Sequence, residues 1–291
     1  MTTNRQASAF SGEDQATGLR RLLAGGAANS IAVMSGARAS GKTSVLVNLA
    51  AALARSGQKV LIVDENANGI ASACGFAARH DLLHVLRGEL ALEAVAIQLF
   101  AGVSLLPAAR LARELPRIGV ADRDRSGRCI ETLARHHDVV LIDGADTPHS
   151  LTRSAHAMLV VHSSCAPTVT DTYALIKRLN LDHGRRDFCV LVNQAGSGAE
   201  AHAEFDTMAR VAGRFLAIPL RFGGWIPRDR RLAAGNGTLP LIDAHSAAPA
   251  ANAFRRVAAQ IADWLGSAGE ARRSGAPVYF PAIATAIAAA H

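Results

Sequence analysis

Seven runs of apolar, often β-branched residues recur along the chain: "SIAVMSG" (30–36), "KVLIVDE" (59–65), "GVSLLPA" (102–108), "DVVLIDG" (138–144), "AMLVVHS" (157–163), "DFCVLVNQ" (187–194) and "RFLAIPL" (214–220). Their apolar positions are continuous rather than alternating, the pattern of strands covered on both faces. Stretches of helical period separate most of them. In "TSVLVNLAAALARSGQ" (43–58), Val45, Leu46, Leu49, Ala50 and Leu53 share one face and Gly57 supplies the stop. The alternation predicts an α/β fold, a doubly wound, mostly parallel sheet flanked by helices. Ligands in such sheets bind at the carboxyl ends of the strands.

The first predicted strand runs into "SGARASGKTSV" (35–45), which matches G-x-x-x-x-G-K-[ST] at every fixed position. Its glycines let backbone N–H groups point at a polyanion, and the following helix adds its N-terminal partial charge. Gly36, Ala37, Arg38, Ala39, Ser40, Gly41, Lys42, Thr43 and Ser44 are therefore the expected nucleotide cradle. Lys42 would neutralise the β- and γ-phosphates, and Thr43 would ligate Mg²⁺. Asp64 and Asp143 each close an apolar strand, the usual place of an acidic partner to that ion. The other reading of each aspartate is a helix N-cap.

Composition changes the picture little. Of 291 residues, 49% are apolar and 19% charged, a globular balance. Lysine occurs only at 42, 59 and 177, so a lysine at 42 is the more telling. The net charge of +7 comes without aromatic–basic interleaving, and nucleic acid is not the expected partner. No stretch approaches the roughly 18 apolar residues of a membrane span, and the N-terminus lacks the pattern of a secretory signal. Cys74, Cys129, Cys165 and Cys189 form no C-x-x-C pair and read as small core residues in a reducing compartment. His80 and His84 lack an H-E-x-x-H context, while His136 and His137 read as the cap of a helix C-terminus. No G-x-S-x-G elbow is present. Residues 1–13 read as a flexible tail, 14–28 as an N-terminal helix, 29–265 as the nucleotide domain, and 266–291 as a linker with an apolar C-terminal tail.

The chain resembles the MinD/ParA-type P-loop ATPases over about residues 14–265. The resemblance rests on the 35–66 block, "HHDVVLIDGAD", "PTVTDTYALIKRL" (167–179), "VLVNQ" and "GWIPRDRRL" (224–232). "DQATGLRRLL" before the first strand makes it most similar to the FlhG/FleN branch, which controls flagellar number and placement. The resemblance implies ATP, ADP and Mg²⁺ as ligands, with Thr43, Asp64 and Asp143 holding the metal. It places Asn193 at the adenine edge, where an amide donates and accepts at once, and counts Pro227 among the nucleotide-binding residues. It implies that Asp14, Gln15, Ala16, Leu19 and Arg20 engage an FlhF-type GTPase; a helix packed on its own domain is the other reading. Flagellar switch proteins or a flagellar transcription regulator are the further implied partners, and an ATP-dependent homodimer the implied assembly. The implied location is cytoplasmic, with peripheral attachment at the inner membrane or cell pole. The apolar tail carries no interleaved basic residues, so support for a membrane-surface role is weak.

Two departures bear on chemistry. The family pattern K-G-G-x-G-K-[TS] has a lysine that reaches across the dimer; here that position is Ala37, followed by Arg38 and Ala39. Arg38 is the candidate substitute for the trans charge, although its planar fork binds phosphate differently. The family's second strand-end aspartate, which orients water, is Asn66 here; an amide holds water but takes no proton. Glu65 falls on the opposite face if the strand continues. The catalytic set is then Lys42, Asp64, Asn66 and Arg38, and the expectation is ATP binding with slow hydrolysis. A scaffold without turnover and a cargo- or DNA-partitioning ATPase are the alternatives.

Overall fold

The computed structural model describes residues 29–37, 39–67, 69–145, 152, 155–165, 169–233 and 240–274. In chain order the strands are β1 (Asn29–Met34), β2 (Val60–Asp64), β3 (Ile97–Phe100), β4 (Val103–Pro107), β5 (Val139–Asp143), β6 (Ala157–Ser163), β7 (Phe188–Ala195) and β8 (Leu220–Pro227). They form one sheet in the order β3-β4-β2-β5-β1-β6-β7-β8. Every neighbouring pair is parallel except β3 with β4. The expected doubly wound α/β class is what the chain adopts.

Strands β2, β5 and β6 are buried along their whole length because both faces are covered. Successive side chains alternate between two cores. Ile31, Val33, Ile62, Leu141 and Leu159 share one with α1 (Lys42–Arg55) and α11 (Pro249–Ser274), whose Phe254 and Trp264 are fully buried. Ala32, Leu61, Val63, Val140 and Val160 share the other with α3 (Leu82–Leu86), α6 (Val120–Ala134), α7 (Val169–His183) and α8 (Gly198–Leu216). Helix α1 lies between sheet and α11, so Val45 through Leu53 are all buried rather than one stripe of them. Short helices α2 (Ile70–Ala73), α4 (Leu92–Val95), α5 (Ala109–Glu114), α9 (Arg230–Ala233) and α10 (Leu241–Ala244) complete the described elements.

The structure corrects several expectations. "RFLAIPL" is not a strand: residues 214–216 close α8, Ala217 turns the chain at φ 52°, and the strand is the following "LRFGGWIP". Paired glycines hide that strand in the sequence. A side chain at Gly223 would collide with Cys189 Sγ, and Gly224 sits at φ 97° beside the register shift between β7 and β8. Edge strand β3 went unrecognised because it has four residues, only Leu99 of them buried, and returns through Ala101–Gly102. The expected linker is helical as far as Ser274. Cys74 and Cys189 are core residues as expected, but Cys129 is half-buried and Cys165 exposed. Residues 1–28, with the predicted tail and partner-binding helix, and the tail beyond 274 lie outside the described residues.

Candidate nucleotide site

Central strand β1 delivers the glycine-rich loop to the carboxyl edge of the sheet, between the ends of β5 and β6. Two residues of the loop have left-handed backbone, Ala39 at φ 60° and Gly41 at φ 78°, and the turn between them feeds α1. Glycine takes this region freely, whereas alanine is strained there. Gly36 is needed for a different reason: a Cβ there would lie inside contact distance of the Asp171 backbone at the start of α7. The loop supports itself. Ser35 Oγ donates to Ala37 O at 3.1 Å, Lys42 N donates to Ser40 Oγ at 3.3 Å, and Val45 N donates to Gly41 O at 2.8 Å.

Lys42 and Thr43 open the first turn of α1. The Lys42 ammonium lies 2.6 Å from Asp143 Oδ1 and donates to Gly144 O at 2.6 Å. Asp143 is fully buried, and among the described residues its Oδ2 has no hydrogen-bond partner. The buried Asp143 carboxylate held against Lys42 and the Thr43 hydroxyl on the first turn of α1 are oxygen donors of the kind a hard divalent cation takes. Thr43 and Asp143 thus fit Mg²⁺.

Asp64 stands opposite Asp143 in the register of β2 with β5. Its oxygens are already engaged, Oδ1 by Asn66 N at 2.9 Å and Oδ2 by Ile70 N at 2.7 Å. It thus ties the loop after β2 to the first residue of α2, whose N-cap is Gly69 rather than Asp64, and it stands beside Asp143 on the same edge. Burial, then the charge of Asp143, pushes its carboxyl up to about 6, against the two N–H donors and Lys42.

Asn66 is half-buried. Its Nδ2 donates to Asp143 O at 3.0 Å. Glu65, expected on the far face, is buried because β2 ends at Asp64 and strand alternation ends with it. Its Oε2 accepts from Ala145 N at 3.0 Å, and its own N donates to Asp143 O at 3.2 Å. Residues 65–66 thus clasp the chain that follows β5. Sequence reasoning missed this role for Glu65; the only signal was its place between two site residues.

Asn193 ends β7 under the loop. Its Nδ2 donates to Ser40 O at 2.8 Å, and Oδ1 is buried without a partner among the described residues. In this state it braces the phosphate loop, leaving one acceptor free. Pro227, at the end of β8, is half-buried on the same edge. Ser44 lies on the first turn of α1, where its carbonyl accepts from Asn48 Nδ2. The structure thus brings Gly36, Ala37, Ala39–Ser44, Asp64, Asn66, Asp143, Asn193 and Pro227 to one edge. Arg38 and residues 14–20 lie outside the described residues. Of the two histidines expected to cap a helix, His137 sits at the end of α6, its ring 2.7 Å from Leu133 O.

Comparison with known proteins agrees with this geometry. The family described as "AAA domain" matches residues 28–179. The antiactivator FleN of Pseudomonas aeruginosa is 32% identical, over 80% of this chain and 86% of that protein. A flagellum site-determining protein, YlxH of Helicobacter pylori, is 25% identical over 69% of this chain and 70% of its own. Among solved structures, the septum site-determining protein MinD of Pyrococcus horikoshii, complexed with Mg-ADP, superposes with a TM-score of 0.61 at 23% identity. It covers 82% of this chain and 98% of that one.

Proposed function

Since the chain belongs to the MinD/ParA-type P-loop ATPases, close to FlhG/FleN, we propose that it is an ATP-dependent regulator of flagellar number or placement that hydrolyses ATP slowly. The observation that carries the nucleotide part is the Lys42 ammonium, anchored on Asp143 and Gly144 at the mouth of the glycine-rich loop. The flagellar part is supported by its likeness to FleN and YlxH.

In this reading, ATP or ADP lies on the backbone of residues 36–43. Thr43 and Asp143 would hold Mg²⁺, which would supply charge neutralisation at the phosphates. Lys42 exchanges its contacts for phosphate oxygens. Asp64 sets the loop after β2 through its two backbone N–H donors. Slow turnover follows from Asn66, whose amide is spent on Asp143 O and cannot take a proton. Ala37 provides no cation for a partner's phosphates, which leaves Arg38 as the only basic residue of the loop besides Lys42. The finer assignments stand as parts of the same proposal: residues 14–20 as contact for an FlhF-type GTPase, an ATP-dependent homodimer, and peripheral attachment at the membrane or pole.

Calorimetry with ATP and ADP in the presence of Mg²⁺, with light scattering on the same samples, tests the reading. ATP binding abolished by Lys42→Ala, with hydrolysis orders of magnitude below relatives that keep both lysines, is the expected result. Brisk hydrolysis sinks the slow-turnover part; absence of binding sinks the switch. A complex with the GTPase that survives deletion of residues 14–20 removes the assignment of that segment.

A further inference from the structure

Beside Asp64, on the flank away from Asn193, a half-open cavity of about 620 Å³ lies between the loop that follows β2 and helix α5. Asp64 and Asn66 reach its floor, His80, Arg110 and Arg113 line it, and the ring of Phe76 is 38% exposed there. Its volume is in the range of small-molecule sites.

The charges in it are unevenly engaged. Asp81, which also lines the cavity, is buried, and its oxygens accept from Leu83 N, Leu111 N and Arg110 N at 2.9–3.1 Å. Asp64 is likewise engaged by Asn66 N and Ile70 N. Among the described residues, the side chain of Arg110 reaches the ring of His84, at 3.1 Å, and that of Arg113 reaches Ala109 O, at 3.4 Å. Among the described residues neither guanidinium has a carboxylate partner. The acids are used inward by backbone N–H groups, while two planar forks suited to phosphate or carboxylate face outward.

We propose that this cavity is a second ligand site, for a small molecule that joins a phosphate or carboxylate to a flat apolar group. The forks take the anion, and Phe76 with the surrounding alanines takes the flat part. The site itself is independent of the ATP reading; only its coupling to that site rests on it. The coupling route is short. Asn66 donates to Asp143 O, and Asp143 holds Lys42, so a ligand that orders the loop after β2 also orders the lysine's anchor.

The probe is 2-naphthyl phosphate, titrated by fluorescence and calorimetry into full-length protein saturated with Mg-ADP, which fills the first site. One saturable site is expected. Arg110→Ala with Arg113→Ala, both exposed positions, weakens it at least about tenfold, as loss of charge-assisted hydrogen bonds implies. Phe76→Ala weakens it less. No saturable binding at millimolar probe, or equal binding to the arginine variant, overturns the proposal. Failure of Mg-ADP to bind while the probe still depends on Arg110 and Arg113 counts against the nucleotide reading and supports this site.

Discussion

Replacing Lys42 by Met removes the cation but keeps most of the side chain's bulk. Among the described residues Asp143 is then a fully buried carboxylate with no counter-charge, one oxygen already without a hydrogen-bond partner and Asp64 beside it in register. Breaking a buried ion pair by removing one partner costs about 3–5 kcal/mol. The Lys42 side chain is 18% exposed, and solvent around the ammonium reduces that figure to about 2–3 kcal/mol. The double variant Lys42→Met/Asp143→Asn removes both charges, so it should recover at least about 1.5 kcal/mol relative to the sum of the single losses. Urea unfolding followed by circular dichroism, at neutral pH without nucleotide or Mg²⁺, measures all four corners of the cycle. Additivity within about 0.5 kcal/mol would refute the reasoning, because the 2.6 Å contact would then carry no coupling.

Ala39→Gly relieves a side chain held at φ 60° and should stabilise the protein by up to about 1 kcal/mol, net of the added unfolded-chain freedom, in the same urea assay. Asp64, raised to about 6 from 3.8, has a folded-state pKa above its unfolded one. Its contribution is therefore fully present below the unfolded value and lost as pH rises through about 6; between neutral pH and about pH 5, wild type should gain about 1 kcal/mol relative to Asp64→Asn. A flat difference between the two across that window would contradict the burial argument. Asn66→Asp restores the family's acid but places a carboxylate against Asp143 O where an amide now donates. It should lose about 2 kcal/mol of stability and leave ATP turnover unraised, read by phosphate release; faster turnover would mean the clasp yields to the acid.

The fold was readable wherever burial acts on both faces of the sheet. Strands β2, β5 and β6 are uninterrupted apolar runs because no face of them meets water. Reading failed at the two edges, where β3 buries one side chain and β8 depends on glycines that a propensity argument takes for a turn. The glycine-rich loop was readable because each fixed position answers a local steric or electrostatic need. The clasp was not. It depends on where β2 stops: one more strand residue would have turned Glu65 away from Ala145 N, as alternation predicts. Asn66 was correctly read as unable to take a proton, but its donor role toward Asp143 O is a tertiary contact that spacing does not encode.

That contact changes what the substitution at 66 means. An aspartate in this place would add a third carboxylate to Asp64 and Asp143, with Lys42 the cation bonded to the group among the described residues. Asparagine lowers the negative charge and supplies a donor, tying the loop after β2 to the chain after β5. The same residue that removes a proton acceptor thus stabilises the pair of loops around the lysine. In the proposed reading, slow turnover and an ordered binding state have one physical origin, the amide at 66 that donates to Asp143 O.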